Sequence, residues 1–138
     1  MMIRNMLPEK NTVYSYFRAI KKKDIDNLVD MFEDEAVIHE PFSKEARLQD
    51  KRDFRSFFQI VCMANEELEH DLLFEDTTDG NATSVLCTFQ KGEALCARFS
   101  FRFGPNARMN AKGRMERRIE KLQIQFLSPY QTRMGLKE

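Results

Sequence analysis

The feature that most constrains this chain is a change of period near residue 66. Before that point apolar residues recur at helical spacing, and after it they alternate. Val13, Tyr16, Phe17 and Ile20 fall on one face of a helix expected over 9–22. Pro8 suits its first turn, where a missing N–H costs nothing. Lys21, Lys22 and Lys23 suit its negative end. Asp24 reads as the N-cap of a second, short helix carrying Ile25, Leu28, Val29 and Phe32 on one stripe. A strand is expected over 35–40, stopped by Pro41. Asp50 reads as the cap of a third helix, with Asp53 in a box-like position and Phe54, Phe57, Phe58 and Val61 as its apolar stripe.

Beyond residue 66, strands are expected over 68–77, 82–91, 94–103 and 117–127. Asp79-Gly80-Asn81 and Lys91-Gly92-Glu93 supply hairpin turns. The stretch 104–113 holds Pro105 and two glycines and reads as a protruding loop. Helix, helix, strand, helix and then a four-strand meander imply an α+β fold. Three helices of the N-terminal half would pack on one face of a curved antiparallel sheet. No repeat or composition break divides the chain, so 1–138 is read as one domain, with a core over about 9–127 and a C-terminal tail over 128–138.

Twelve Phe and no Trp, in two clusters, supply much rigid apolar volume for a core or a cavity. Formal net charge is zero, with 22 basic and 22 acidic residues, so no global field gathers nucleic acid or an anionic membrane. No apolar run reaches bilayer length, and no secretory leader is read at the N-terminus; a cytoplasmic protein is expected. Cys62, Cys87 and Cys96 form no CxxC pair and read as small buried hydrophobes. His39 and His70 have no metal-ligand spacing, so no metal site is read. His39 should point opposite to Glu40, and His70, between Glu69 and Asp71, should be exposed. Charge is nonetheless segregated: 66–79 is acidic and 98–115 basic. The basic stretch is either a hairpin in solvent, an anion-binding loop, or a surface that pairs with the acidic region of a second copy.

The element order and the run YFRAIKKKDIDNLVDMFEDEAVIHEPF resemble the nuclear transport factor 2-like superfamily. Within it, the run is most similar to the ketosteroid isomerases and the polyketide cyclase-like proteins. The resemblance spans 10–127 and is most specific over 16–41. It implies a cone-shaped fold around one deep apolar pocket. It implies catalytic roles for Tyr16, as an oxyanion donor in the first helix, and for Glu40, as a carboxylate base just before Pro41. On this reading Phe17, Ile20, Phe32 and Ile38 line the pocket from the first half of the chain, with Phe54, Phe57 and Phe58 from the third helix. Phe89, Phe99, Phe101 and Phe126 line it from the sheet. The chain departs from the isomerases at Phe99, in the stretch RFSFRF, where they keep a protonated Asp. The implied activity is cofactor-independent isomerisation, cyclisation or dehydration of an apolar carbonyl compound. The alternative is a hydrophobic-ligand-binding or protein-interaction module without catalysis. A small apolar or aromatic ligand and a homodimer through the open sheet face are the partners implied; nucleic acid and membrane are not.

Overall fold

In a computed structural model, residues 7–41, 47–75, 79–91 and 93–127 are described. Helix α1 spans Pro8–Lys22, α2 Ile25–Asp30 and α3 Lys51–Ala64. The strands are β1 Phe32–His39, β2 Arg47–Leu48, β3 Glu69–Glu75, β4 Ala82–Lys91, β5 Glu93–Met109 and β6 Met115–Leu127. They form one six-stranded sheet in the order β2-β1-β6-β5-β4-β3. Neighbours are antiparallel except β1 and β6, which run parallel, Phe32 opposite Ile119 and His39 opposite Gln123.

The local rules hold where they were strongest. Asp24 accepts from the Asn27 N–H and Asp50 from the Arg52 N–H, each satisfying an orphan donor of its helix. Lys23 ends α1 in the left-handed region (φ 58°), and the Asp24 N–H closes back on the Ala19 carbonyl at 2.9 Å. Asp79 makes the expected turn, accepting from both Asn81 and Ala82. Gly92 of the next turn lies outside the described residues, with Lys91 and Glu93 paired across it.

The inner face of the sheet is a period-two apolar set. Phe99, Phe101 and Phe103 of β5 are buried beside Val85, Cys87 and Phe89 of β4 and Ile119, Leu122 and Ile124 of β6. Their outward neighbours Arg98 and Arg102 pair with Glu75 and Asp79 within the same chain. Acidic and basic residues of the two stretches thus meet on the outer face, Glu75 of β3 reaching Arg98 of β5 across β4. Cys62, Cys87 and Cys96 are free and buried. Burial raises the Cys62 thiol pKa and pushes that of Cys87 up to about 12, so neither is a ready thiolate at neutral pH.

The loop expected over 104–113 is overturned. β5 continues to Met109, pairing Ala107 with Arg117 and Met109 with Met115, and only a short turn remains. Two register shifts, between Arg102 and Phe103 and between Phe103 and Ala107, absorb Gly104 and Pro105 as an irregularity within the strand. The backbone at Gly104 runs close against the end of the Glu33 side chain, which would have to swing aside for any larger residue. Arg117 then binds the Phe103 and Gly104 carbonyls, Asn81 and Glu9, fixing the bent segment from four directions.

Candidate functional site

Helices α1 and α3 and the inner face of the sheet leave one cavity of about 610 Å³. Its walls are mostly apolar. Phe17 and Ile20 come from α1, Phe57, Ile60 and Val61 from α3, and Phe89, Leu95, Phe99, Ile124 and Phe126 from the sheet. Ile60 (68 % exposed) and Phe126 (41 %) remain partly in solvent. Among the described residues no Lys or Arg lines the cavity, so an anionic ligand would find no counter-charge there.

Few polar groups reach this space. Tyr16 comes from the buried face of α1, one turn before Ile20. Its ring meets Phe17, Phe58, Phe99 and Phe101 at centroid distances of 5.0–6.1 Å. Four such aromatic neighbours, each worth about 0.5–1.5 kcal/mol beyond burial, fix its direction. Desolvation lifts its pKa far above the phenol range, with smaller contributions from Cys62 and Cys87, so it is a neutral O–H donor. Glu40 follows β1, in step with buried Ala36 and Ile38, and is 5 % exposed. His39 is the more exposed of the pair, and Glu40 lines the cavity.

Among the residues expected on the pocket, Tyr16, Glu40, Phe17, Ile20, Phe57, Phe89, Phe99 and Phe126 share this one cavity. Phe32, Ile38, Phe54, Phe58 and Phe101 stand behind its wall, buried in the continuous core. Phe32 packs on Phe54 and Phe58 at 5.2 and 5.8 Å, where the stripe of α3 turns toward β1 and away from the cavity.

The sequence reading missed Ser56 and Asn65 and misplaced His70. His70 is half-buried on the cavity wall, not exposed. Leu68, just before β3, and His70, Leu72 and Phe74 within it alternate at period two, and all four turn inward. The acidic neighbours Glu69 and Asp71, on the outer face, masked that signal. The His70 ring lies between Phe17 and Phe89, at 5.8 and 5.3 Å. Its Nε2 is 2.7 Å from Asn65 Oδ1, and Asn65 donates through Nδ2 to the Val61 carbonyl at 2.8 Å. Burial, with a smaller push from Lys21, lowers the imidazole pKa, so the ring is held neutral. Asp53 and Ser56 of α3 and Asn65 complete the polar lining.

A second cavity, of about 520 Å³, lies against the other side of α1, touching Ser15, Arg18 and Lys22. It is charged, and part of that charge is paired within the chain. Glu116, 0 % exposed, accepts from Ser15 and from Asn110 (2.8 Å) and faces Arg108 Nε at 3.2 Å. Arg108 also reaches Asp30 and Asn27, and Arg118 reaches Asp30. Among the described residues no His/Cys/Asp/Glu group could hold a metal, and no helix is long and apolar enough to cross a membrane.

No family model matches the chain, and no curated protein matches it. Solved structures do. SalBIII, an epoxide hydrolase/cyclase-like enzyme in pyran ring formation of the polyether salinomycin, superposes with a TM-score of 0.65 at 20% identity, covering 86% of this chain and 89% of its own. A protein from Sphaerobacter thermophilus gives 0.65 at 13% identity, covering 89% and 99%. An NTF2-like protein of unknown function from Cytophaga hutchinsonii gives 0.56 at 11% identity, covering 94% and 98%.

Proposed function

The chain has the nuclear transport factor 2-like fold, and on that scaffold we propose a small-molecule pocket protein that performs acid/base chemistry on an apolar carbonyl compound. The observation that carries the reading is the meeting of a buried carboxylate, Glu40, and a buried neutral phenol, Tyr16, on one apolar cavity. A carbonyl carbon acidifies its neighbouring C–H. Glu40 takes that proton, and the C–H electron pair becomes the enolate. The Tyr16 O–H donates to the enolate oxygen, where charge develops. The Glu40 acid then returns the proton to the same or a conjugated carbon, so the carboxylate is regenerated and no oxidant or cofactor is consumed. Isomerisation, cyclisation and dehydration all begin with this step. Phe17, Ile20, Phe57, Phe89, Phe99 and Phe126 supply apolar contact.

A second reading is favoured by one observation. Phe99, and not an acid, faces the cavity beside Tyr16, which suits binding of an aromatic ligand without turnover. The test uses 2-acetylnaphthalene in deuterated buffer, with acetyl-proton exchange followed by NMR. Exchange above the buffer rate that disappears in Glu40→Gln supports the acid/base reading. Binding without exchange leaves the ligand-binding reading. No binding overturns both.

We also propose a second copy as a partner across the outer sheet face. Leu73, 64 % exposed, stands beside Leu86 on that face. Sedimentation equilibrium of wild type against Leu73→Lys tests it, and a wild-type monomer would end the proposal. A cytoplasmic setting suits the three free, buried thiols.

A further inference from the structure

An imidazole on a cavity wall is informative only if its tautomer is fixed, and here the neighbours fix it. Asn65 Nδ2 is committed to a carbonyl, Val61 O, which can only accept. Asn65 Oδ1 is therefore the atom turned to His70, and an amide oxygen also only accepts. Nε2 must then carry the proton, donating at 2.7 Å. In the neutral ring this leaves Nδ1 as a bare lone pair. Among the described residues no protein group hydrogen-bonds Nδ1. Phe17 and Phe89 flank the ring and restrict its rotation. The helix end that carries Asn65 and the strand start that carries His70 are short neighbours in sequence, so the pair is built locally and is independent of Glu40 and Tyr16.

We propose that His70 is a specificity-determining acceptor of the cavity, held by Asn65 as a positioning residue. The ligand is accordingly an apolar or aromatic carbonyl compound that also bears a hydroxyl. The hydroxyl donates to His70 Nδ1, while the carbonyl end meets Tyr16 and Glu40. This rests on the carbonyl-pocket reading above and adds a demand that the reading does not contain. A carboxylate or phosphate in place of the hydroxyl would set an anion against an acceptor lone pair, with no cation on the described lining to offset it. A ligand lacking the hydroxyl would leave a desolvated acceptor unpaired.

The probes are 6-acetyl-2-naphthol and 2-acetylnaphthalene, which differ by the one hydroxyl, with binding read by naphthyl fluorescence. Wild type is expected to prefer the naphthol roughly tenfold, the scale of one hydrogen bond to an otherwise unpaired group. His70→Phe keeps the ring shape between Phe17 and Phe89, so it should retain 2-acetylnaphthalene binding and lose the preference. Long-range ¹H–¹⁵N NMR of unliganded wild type should show the Nε2–H tautomer, and Asn65→Ala should mix the two tautomers and weaken the preference. If 2-acetylnaphthalene binds and the hydroxyl confers no advantage, or the advantage survives in His70→Phe, the inference fails and the pocket reading stands. An Nδ1–H tautomer in the unliganded protein overturns it whatever the probes do. If neither probe binds, the inference and the pocket reading fall together.

Discussion

Helix α1 has a cavity on each side, and the two treat buried charge in opposite ways. On the side of Ser15, Arg18 and Lys22, each carboxylate has acquired cationic or hydrogen-bonding neighbours, with Glu116 held by Ser15, Asn110 and Arg108. On the side of Tyr16, Phe17 and Ile20, carboxylate, phenol and imidazole face apolar walls with no Lys or Arg among the described lining. A charge surrounded by fixed partners is structural, because its energy is already spent in the folded chain. Polar groups on the wall of an apolar cavity can be reached by a ligand, and a hydrogen bond made there is little weakened by water. One helix separates the two regimes because residues three and four apart share a face while those one or two apart do not.

Substitutions can break this contrast. The largest effect is expected from Glu40→Gln, which should slow acetyl-proton exchange by roughly a hundred- to ten-thousand-fold with little change in the thermal midpoint. Glu116→Ala should do the reverse. It removes the buried acceptor of Ser15 and Asn110 and one of the two carboxylates at Arg108, and should lower unfolding free energy in urea by about 1–3 kcal/mol, while exchange per folded molecule is unchanged. Tyr16→Phe removes one donor and should cost roughly a hundredfold in exchange, with the ring packing kept. A matching loss of stability in Tyr16→Phe would show that the phenol is structural after all.

Acid titration sharpens the same contrast. Burial lowers the His70 pKa below its ordinary 6.5, so the folded chain binds fewer protons there than the unfolded chain. That contribution is fully present above 6.5 and is lost as pH falls through that value toward the lower folded one. His70→Phe should therefore flatten the slope of urea stability against pH just below 6.5. The smallest effect is expected at Lys23, whose left-handed backbone favours glycine; Lys23→Gly should stabilise by about 0.5–1 kcal/mol, leaving both cavities untouched.

Much of the architecture was legible because it rests on period and on capping chemistry. The stripe of α3, the Asp24 and Asp50 caps and the alternation of Phe99, Phe101 and Phe103 all read correctly from neighbours in sequence. Glu40 could be placed inward by counting in twos along its strand. What failed were features decided at a distance. Gly104 and Pro105 signal a loop locally, but pairing of 107–109 with 115–117 and the reach of Arg117 carry the strand through them. The parallel neighbour of β1 and the short strand β2 had no local mark. His70 had one, the inward set at 68, 70, 72 and 74, and it was outweighed by the acids beside it. Its tautomer depends on a helix-end asparagine whose own partner is a backbone carbonyl, which no sequence pattern states.

The parallel pairing of β1 with β6 also sets the order of events during synthesis. Phe32 and Ile38 leave the ribosome early, yet the strand that flanks them is nearly the last part of the domain to appear. The Thr12 hydroxyl likewise waits for a carbonyl 105 residues downstream. Closing so long a loop delays the ordered core until most of the chain exists. For that interval the amino-terminal helices carry unpaired apolar faces, and the nascent chain is the form of this protein most in need of a chaperone.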